Sequence, residues 1–446
     1  MFYLAFHLFI NFRYYNMDGG GNLLDRKIQE VERHLDTAMR DRSHQTAHVR
    51  RVETQILRWC LENPSLRTQV LRFIDCLPAL KNPREIVRHL REYFPERTMR
   101  LPLTLRLSLS ASRAGWVTGR AVATATRATA AAVARLFIAG GTLEEAFRTM
   151  EQLKREGFET TVDLLGETTT SQAQADRYAD GYLELIRRWP STLSSPPHVS
   201  LKLSSLAYPF DPVDPEGAWR QVRPRLSAIL RASQSAGGFV NVDMEQHHLR
   251  DLVLWLTQRI LEEDFPEESR VGLVIQAYLK DSEEVTRRLL GWIKARRVPL
   301  TLRLVRGAYW DSEVILSRQR GWPCPVYATK PETDACFERL TDLLLENHSH
   351  ARVAIATHNL RSLARAMAKA QSLDVPQNRW ECQMLYGMGV AVQKAVLSLG
   401  VPVRIYAPVG ELIPGMSYLV RRILENTSHA SFVAMSLMSE PPRARI

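Results

Sequence analysis

Polar side chains recur at the ends of successive short apolar runs in this chain. They are Lys202, Asp243 with Met244, Gln276, Arg303, Thr357 with His358 and Asn359, Leu385 and Tyr406. Apart from Met244 and Leu385 the set is cationic or hydrogen-bonding, which suits an anionic cofactor and an anionic substrate. Arg303 stands at its centre. In Leu300-Thr301-Leu302-Arg303-Leu304-Val305 the leucines alternate with the other residues, so Arg303 lies on the opposite face of a strand. A guanidinium keeps its proton, so a partly buried one needs an anion or several acceptors opposite it. Gly307 then permits close approach of a backbone or a flat ligand. Tyr309 and Trp310 add aromatic faces, and Asp311 is suited to cap the next helix. Taken singly, each residue has a plainer use: Lys202 could snorkel at the surface, and Gln276 could satisfy a backbone group. Their shared position on successive strands is what argues for a site.

A second group lies near the end of the chain. Residues 416–425 read as a helix on which Tyr418 precedes Arg421 and Arg422 by three and four residues and shares their face. Both long side chains can fold toward one carboxylate, with Glu425 in reach to hold them; two exposed arginines on a surface helix are the alternative. His247 and His248 give no metal spacing, because adjacent helical residues point ~100° apart and no third ligand follows one turn on. Lys202 and Lys330 could be Schiff-base lysines of an aldolase. That chemistry has no need of Tyr309, Tyr406 and Tyr418, or of an arginine at a barrel centre. A non-catalytic barrel that only binds a partner is a third reading.

The elements that must position these residues begin at Phe158, where apolar, β-branched runs alternate with amphipathic helical patterns. The runs are Thr161–Leu165, His198–Leu203, Phe239–Asp243, Val271–Gln276, Thr301–Val305, Val353–Thr357, Glu381–Leu385 and Val403–Tyr406. Eight strands alternating with helices over ~270 residues predict an α/β fold, a (β/α)8 TIM-like barrel with its active site at the C-terminal strand ends. A doubly wound open sheet is the runner-up, but no G-x-G-x-x-G follows the first strand. Residues 23–139 form an all-helical region ahead of the barrel at 140–436, with a leader at 1–22 and a tail at 437–446. Asn63-Pro64 and Asn82-Pro83 punctuate the helices, and Thr142-Leu143-Glu144-Glu145 predicts a capping box for a helix to about Glu156.

Bulk properties narrow the class. Hydrophobic content of 45% and charged content of 24% are those of a globular protein. The net charge of +11 comes from scattered Lys and Arg with no basic tail or aromatic RNA-binding signature, which excludes nucleic acid as the main partner. Five widely spaced cysteines without a C-x-x-C pair indicate no disulfide framework or zinc site and suit a reducing cytoplasm. The apolar opening Met1–Ile10 is shorter than the ~18–20 residues that span a bilayer.

Several of these motifs together resemble the proline dehydrogenase family, most closely the proline dehydrogenase half of the bifunctional proline utilization A flavoenzymes. They are Lys202-Leu203-Ser204, Asn241-Val242-Asp243, the run from Leu302 to Asp311, Ala356-Thr357-His358-Asn359, the run from Cys382 to Gly389, the run from Arg404 to Gly410, and Tyr418 to Arg422. The resemblance covers residues 140 to 433 and, more loosely, the helices before them. It implies a distorted, flavin-binding barrel that oxidises L-proline to Δ1-pyrroline-5-carboxylate, the first step of proline catabolism, and passes electrons to a membrane quinone. On this resemblance Arg421, Arg422 and Lys202 bind the proline carboxylate, Asp243 orders that cluster, and Tyr406, Tyr418 and Leu385 pack on the ring. Arg303 and Gln276 contact the flavin ring. Met244, Arg306, Gly307, Ala308, Trp310, Lys330, Thr357, His358 and Glu425 hold the rest of FAD. Thr329 stands where the family often has a basic residue. The aldehyde dehydrogenase half is expected to be absent, leaving it a separate or missing module. The enzyme is expected in the cytoplasm, peripheral on an anionic membrane surface, with no metal.

Overall fold

The computed structural model describes residues 23–43, 63–95, 103–111, 115–166, 169–412 and 415. Helices lead: α1 (Leu23–Ser43), α2 (Pro64–Cys76), α3 (Pro83–Tyr93), α4 (Leu103–Ala111), α5 (Trp116–Ala134) and α6 (Leu143–Arg155). Strands and helices then alternate as β1 (Glu159–Leu164), α7 (Gln172–Arg187), β2 (His198–Leu201), α8 (Pro215–Ser235), β3 (Phe239–Val242), α9 (His247–Glu263), β4 (Val271–Gln276) and α10 (Ser282–Arg296). They continue as β5 (Leu300–Val305), α11 (Trp310–Arg320), α12 (Lys330–Glu346), β6 (Ala351–Ala356), α13 (Leu360–Ser372), β7 (Trp380–Leu385), α14 (Val390–Ser398) and β8 (Val403–Val409). The eight strands close into one barrel, β1 to β8 in chain order, every pair parallel. The (β/α)8 expectation is met.

The strands form where they do because one face of each is apolar and covered by helices. Val162, Val199, Leu201, Leu302, Leu304 and Ile355 are fully buried in the main core between barrel and helices. The opposite faces point down the barrel axis, and the register identifies them. Asp163 pairs with Ser200, Ser200 with Asn241, Asn241 with Gly272, and Val274 with Arg303, so these residues share the inner face. Usual barrel interiors are filled by branched apolar residues. This one is polar and charged.

At the closed, N-terminal end the Arg404 guanidinium grips Glu381 with Nε to Oε1 at 2.8 Å and Nη2 to Oε2 at 3.1 Å, and Gln383 Nε2 donates to Glu381 Oε1 at 2.7 Å. Burial disfavours the Glu381 charge, but Arg404 outweighs it and holds this carboxyl below its usual value. A depressed carboxyl contributes stability above its unfolded pKa of about 4.3, and that share is lost as pH falls through the lower folded value. Glu381→Ala would strand a part-buried arginine, an expected loss of about 3–5 kcal/mol that equilibrium denaturant unfolding reads directly.

The boundaries differ from expectation in informative places. Lys202, Leu203, Asp243 and Thr357 lie just beyond their strands, and β8 runs through Pro408 to Val409 instead of stopping at Tyr406. Helix α11 starts at Trp310 with Tyr309 at its cap position, so Asp311 is a first-turn residue and not the cap. There its carboxylate complements the helix dipole. Thr142 Oγ1 does accept from Glu145 N, but Glu145 Oε2 accepts from Gly141 N at 2.8 Å, one residue earlier than a capping box requires.

The leading helices divide in two. Ile28, Val31 and Leu35 of α1 belong to the barrel's own core, and α1 packs on α13 and α14. Residues of α2 to α5 make a separate apolar cluster that Leu385 and Met388 join from the barrel mouth. Gly387 makes that junction possible. Its φ is +73°, and a Cβ there would meet Leu136 O at 1.5 Å.

Candidate active site

Asp243 gathers the centre of the mouth. Its Oδ1 accepts from Arg303 Nη1 at 2.6 Å and from Asn241 Nδ2 at 2.9 Å, and its Oδ2 accepts from Tyr406 OH at 2.8 Å. Arg303, 3% exposed, also donates from Nη2 to Ser200 Oγ at 3.0 Å and lies 5.5 Å from the Tyr406 ring centre. Its Nε is buried with no hydrogen-bond partner among the described residues. The guanidinium is thus pinned on one edge and open on another. Tyr406 reaches this group because it sits within β8, not at its end.

Lys202 is held separately. Its Nζ donates to both oxygens of Asp163, at 2.9 and 3.2 Å, and the Asp163 side chain is 1% exposed. Burial alone would lower the Lys202 pKa, yet the Asp163 carboxylate beside it reverses that and holds the ammonium well above its ordinary value. Burial in turn pushes the Asp163 carboxyl up, against the pull of Lys202. In the structure Asp163 takes Lys202 and Asp243 takes Arg303, while the Arg421 and Arg422 that Asp243 was expected to order with Lys202 lie outside the described residues. A lysine kept charged is no Schiff-base nucleophile. Burial also raises the nearby Tyr178 phenol to about 12, so it stays protonated; it donates to Leu164 O at 3.1 Å.

Beside this centre the loops after β5 and β6 build a cationic cradle. Arg306 donates from Nε to Asp334 at 2.7 Å, from Nη1 to Thr357 Oγ1 at 2.6 Å and from Nη2 to Ser362 Oγ at 2.7 Å. Lys330 pairs with the other oxygen of Asp334. Burial disfavours the Asp334 charge, but Arg306 and Lys330 hold its carboxyl below the usual range. Thr329 caps α12 in a capping box with Glu332, a use that needs a hydroxyl and not a basic side chain.

Gln276 Nε2 donates to Glu245 O at 2.9 Å, and its Oε1 has no partner among the described residues. His358 Nε2 accepts from Leu385 N at 3.1 Å, so the neutral ring carries its proton on Nδ1. Met244 is buried beside these loops, and Ala308 is half-buried. Trp310 keeps its ring exposed while Nε1 donates to Tyr327 O at 2.8 Å. His247 and His248 open α9, and among the described residues no cluster of His, Cys, Asp or Glu has a metal-binding arrangement.

Gly307 turns the chain out of β5 at φ +119°, with the Tyr278 ring 2.3 Å from where a Cβ would stand. Gly307→Ala combines strain with overlap, so a loss of several kcal/mol in stability is expected, on the order of a core overpacking or more, measured by thermal unfolding.

Tyr418, Arg421, Arg422 and Glu425 lie outside the described residues. Sequence reasoning missed Asp163, Ser200, Asn241, Asp334 and Ser362. A signal existed for two of them: Asp163 alternates with Thr161 in a predicted strand, and Asp334 follows Lys330 at i+4.

With this geometry in hand, comparison with known proteins is decisive. The family model for proline dehydrogenase matches residues 146–435. The chain belongs to the proline dehydrogenase family. A second model, the proline utilization A N-terminal domain, matches residues 25–137. The bifunctional protein PutA of Escherichia coli (strain K12) is 31% identical over 310 residues, covering 67% of this chain and 23% of that protein. Proline dehydrogenase 1 of Bacillus subtilis (strain 168) is 30% identical over 308 residues, covering 69% of this chain and 91% of that protein. The proline utilization A structure from Bdellovibrio bacteriovorus, inactivated by N-propargylglycine, superposes with a TM-score of 0.81 at 32% identity, covering 94% of this chain and 43% of that one. The chain spans about a quarter of the length of the bifunctional curated relatives it matches.

Proposed function

We propose that this proline dehydrogenase family member oxidises L-proline to Δ1-pyrroline-5-carboxylate, with FAD held in the barrel mouth and electrons passed on to a membrane quinone. The observation that carries the reading is the pair of buried, half-satisfied groups facing the mouth: Arg303 with an open Nε and Gln276 with an open Oε1. Buried polar atoms are rarely left without partners, so a polar ligand surface fits between them. FAD, when bound, would supply the acceptor for the two electrons leaving proline.

The residues present fit that group. Arg303, pinned by Asp243, would offer a fixed positive charge where negative charge develops, and a preorganised charge costs no reorganisation at that moment. Arg306 and Lys330, spaced by Asp334, would suit a pyrophosphate, with Gly307, Ala308, Thr357, His358, Met244 and Trp310 around them. Lys202 would bind the substrate carboxylate, joined by Arg421 and Arg422, while Tyr406, Leu385 and Tyr418 pack on the ring and Glu425 supports the cofactor. The site of action would be the cytoplasm, at the membrane surface. Among the described residues no helix is long and apolar enough to cross a membrane.

The test is direct. Purified chain is expected to be yellow, to release FAD on denaturation, and to bleach when L-proline is added without oxygen. Colourless protein that gains no proline-dependent dye reduction after incubation with FAD would overturn the reading.

A further inference from the structure

Strands β1 and β2 part earlier than their other neighbours do. Their register ends with Asp163 opposite Ser200, whereas β1 goes on pairing with β8 as far as Leu164 and Val409, and β2 with β3 as far as Leu201 and Val242. One further rung would set Leu164 opposite Leu201, with Lys202 N donating to Leu164 O in the slanted pattern of a parallel ladder. That rung is not made. Lys202 instead leaves the sheet as the cap of a short 3-10 turn, Leu203–Leu206.

Two tyrosines of α7 hold the main-chain groups at this end. Tyr178 and Tyr182 stand one turn apart on the same helix face, their rings edge to face at 5.2 Å. Tyr182 is fully buried; its hydroxyl accepts from Leu164 N at 3.1 Å and donates to Ser200 O at 2.6 Å, so it spans the last rung. Tyr178 donates to Leu164 O at 3.1 Å and thereby takes the acceptor that the next rung would need. A buried phenol needs a partner, but an apolar contact or a single acceptor satisfies most core tyrosines. Here two hydroxyls, 3.4 Å apart, engage Leu164 N, Leu164 O and Ser200 O at one seam.

That seam carries the lysine of the mouth. Asp163 is the last paired residue of β1, and Lys202 donates to both of its carboxylate oxygens. A ladder longer by one rung would draw Lys202 N to Leu164 O and fix that residue to the sheet. Ser200, which Tyr182 holds by its carbonyl, also offers the Oγ that receives Arg303 at 3.0 Å.

We infer that Tyr178 and Tyr182 are positioning residues whose hydroxyls stop the β1–β2 ladder one rung short of Lys202, leaving Asp163 to aim its ammonium at the substrate carboxylate. They act through Leu164 and Ser200. The inference deepens the proposed function and rests on it for the identity of the substrate.

Tyr178→Phe, Tyr182→Phe and the double variant test this, because each keeps the ring and removes only hydroxyls. In the double variant KM for proline, with a soluble dye as acceptor, should rise about tenfold, since small misplacements of a binding group cost that much or more. Turnover should fall less than KM rises, because Arg303 keeps Asp243, and flavin content should be unchanged. A crystal structure of the double variant should show Lys202 N within about 3 Å of Leu164 O. Thr257→Val is the control: it removes a buried hydroxyl bond to Val253 O in the second half of α9. It should lower the denaturant midpoint and leave KM alone. If the double variant does not fold, Tyr178→Phe alone carries the test, with a KM rise of about threefold or more expected. A folded Tyr178→Phe variant with the parent's KM overturns the positioning role. So does a double variant whose Lys202 N stays away from Leu164 O, or a Thr257→Val variant with the same rise in KM. A parent chain that never reduces dye with proline would instead overturn the proposed function, and the crystal structure would still decide whether the hydroxyls stop the ladder.

Discussion

Arg303→Met is expected to slow proline-dependent flavin reduction by about 10²–10³-fold, the usual effect of removing a preorganised group that stabilises developing charge. It will also destabilise the fold. Asp243 is nearly buried and has Arg303 as its cationic partner at 2.6 Å, so deletion strands a carboxylate at a cost of about 3–5 kcal/mol. The two effects separate in a double variant. Adding Asp243→Asn removes the stranded charge while keeping acceptors and donors for Tyr406 and Asn241, so stability should largely return. The reduction rate should not. Rapid mixing with proline reads the rate and denaturant titration reads the stability, both normalised to bound flavin. A double variant that regains speed along with stability would make Arg303 a structural residue only.

The barrel was legible because its evidence is local. Leu302 and Leu304 alternate with Arg303, and only one face of such a strand can meet the helices. The polar interior followed from the same alternation, since Asp243, Gln276 and Tyr406 stand at matching phases. What sequence could not supply was partnership. Asp163 takes Lys202 because β1 and β2 are in register at Asp163 and Ser200, a fact of strand pairing with no trace in either run. The last run is bounded at Tyr406. β8 nevertheless continues, since β1 pairs with it as far as Val409, and where β7 stops at Tyr406 the Ala139–Gly140 segment bridges to Val409 and donates to Pro408 O at 2.8 Å. Helix α1 reads like its neighbours in the helical region, but its apolar stripe lies on α13 and α14 rather than with α2 to α5. A hydrophobic stripe announces burial without saying against what.

Asp163→Asn is expected to lower kcat/KM for proline by about ten- to a hundredfold, mostly through KM. Lys202 owes its charge to this carboxylate. Burial disfavours the ammonium, and Asp163 reverses that to lift the pKa well above the ordinary value. A raised lysine pKa contributes stability that is complete below the unfolded value of about 10.4 and is lost only as pH climbs through the folded one. In the parent, then, KM for proline should stay flat through the alkaline range in which the fold survives. Without Asp163 the burial effect is opposed only by the smaller attractions of Tyr178 and Asp243, so the alkaline rise in KM should move to lower pH. The asparagine still accepts from Nζ and keeps the side chain's direction, which leaves charge as the property changed. Loss of one charge-assisted contact of about 1.5–3 kcal/mol corresponds to the expected range. Flavin content should be unaltered, because Asp163 and Lys202 lie across the mouth from the Arg306 cradle. The check is KM for proline against pH in parent and variant, with unfolding followed in parallel. An alkaline limb that does not move would mean that Lys202 draws its charge from elsewhere or does not meet the substrate carboxylate.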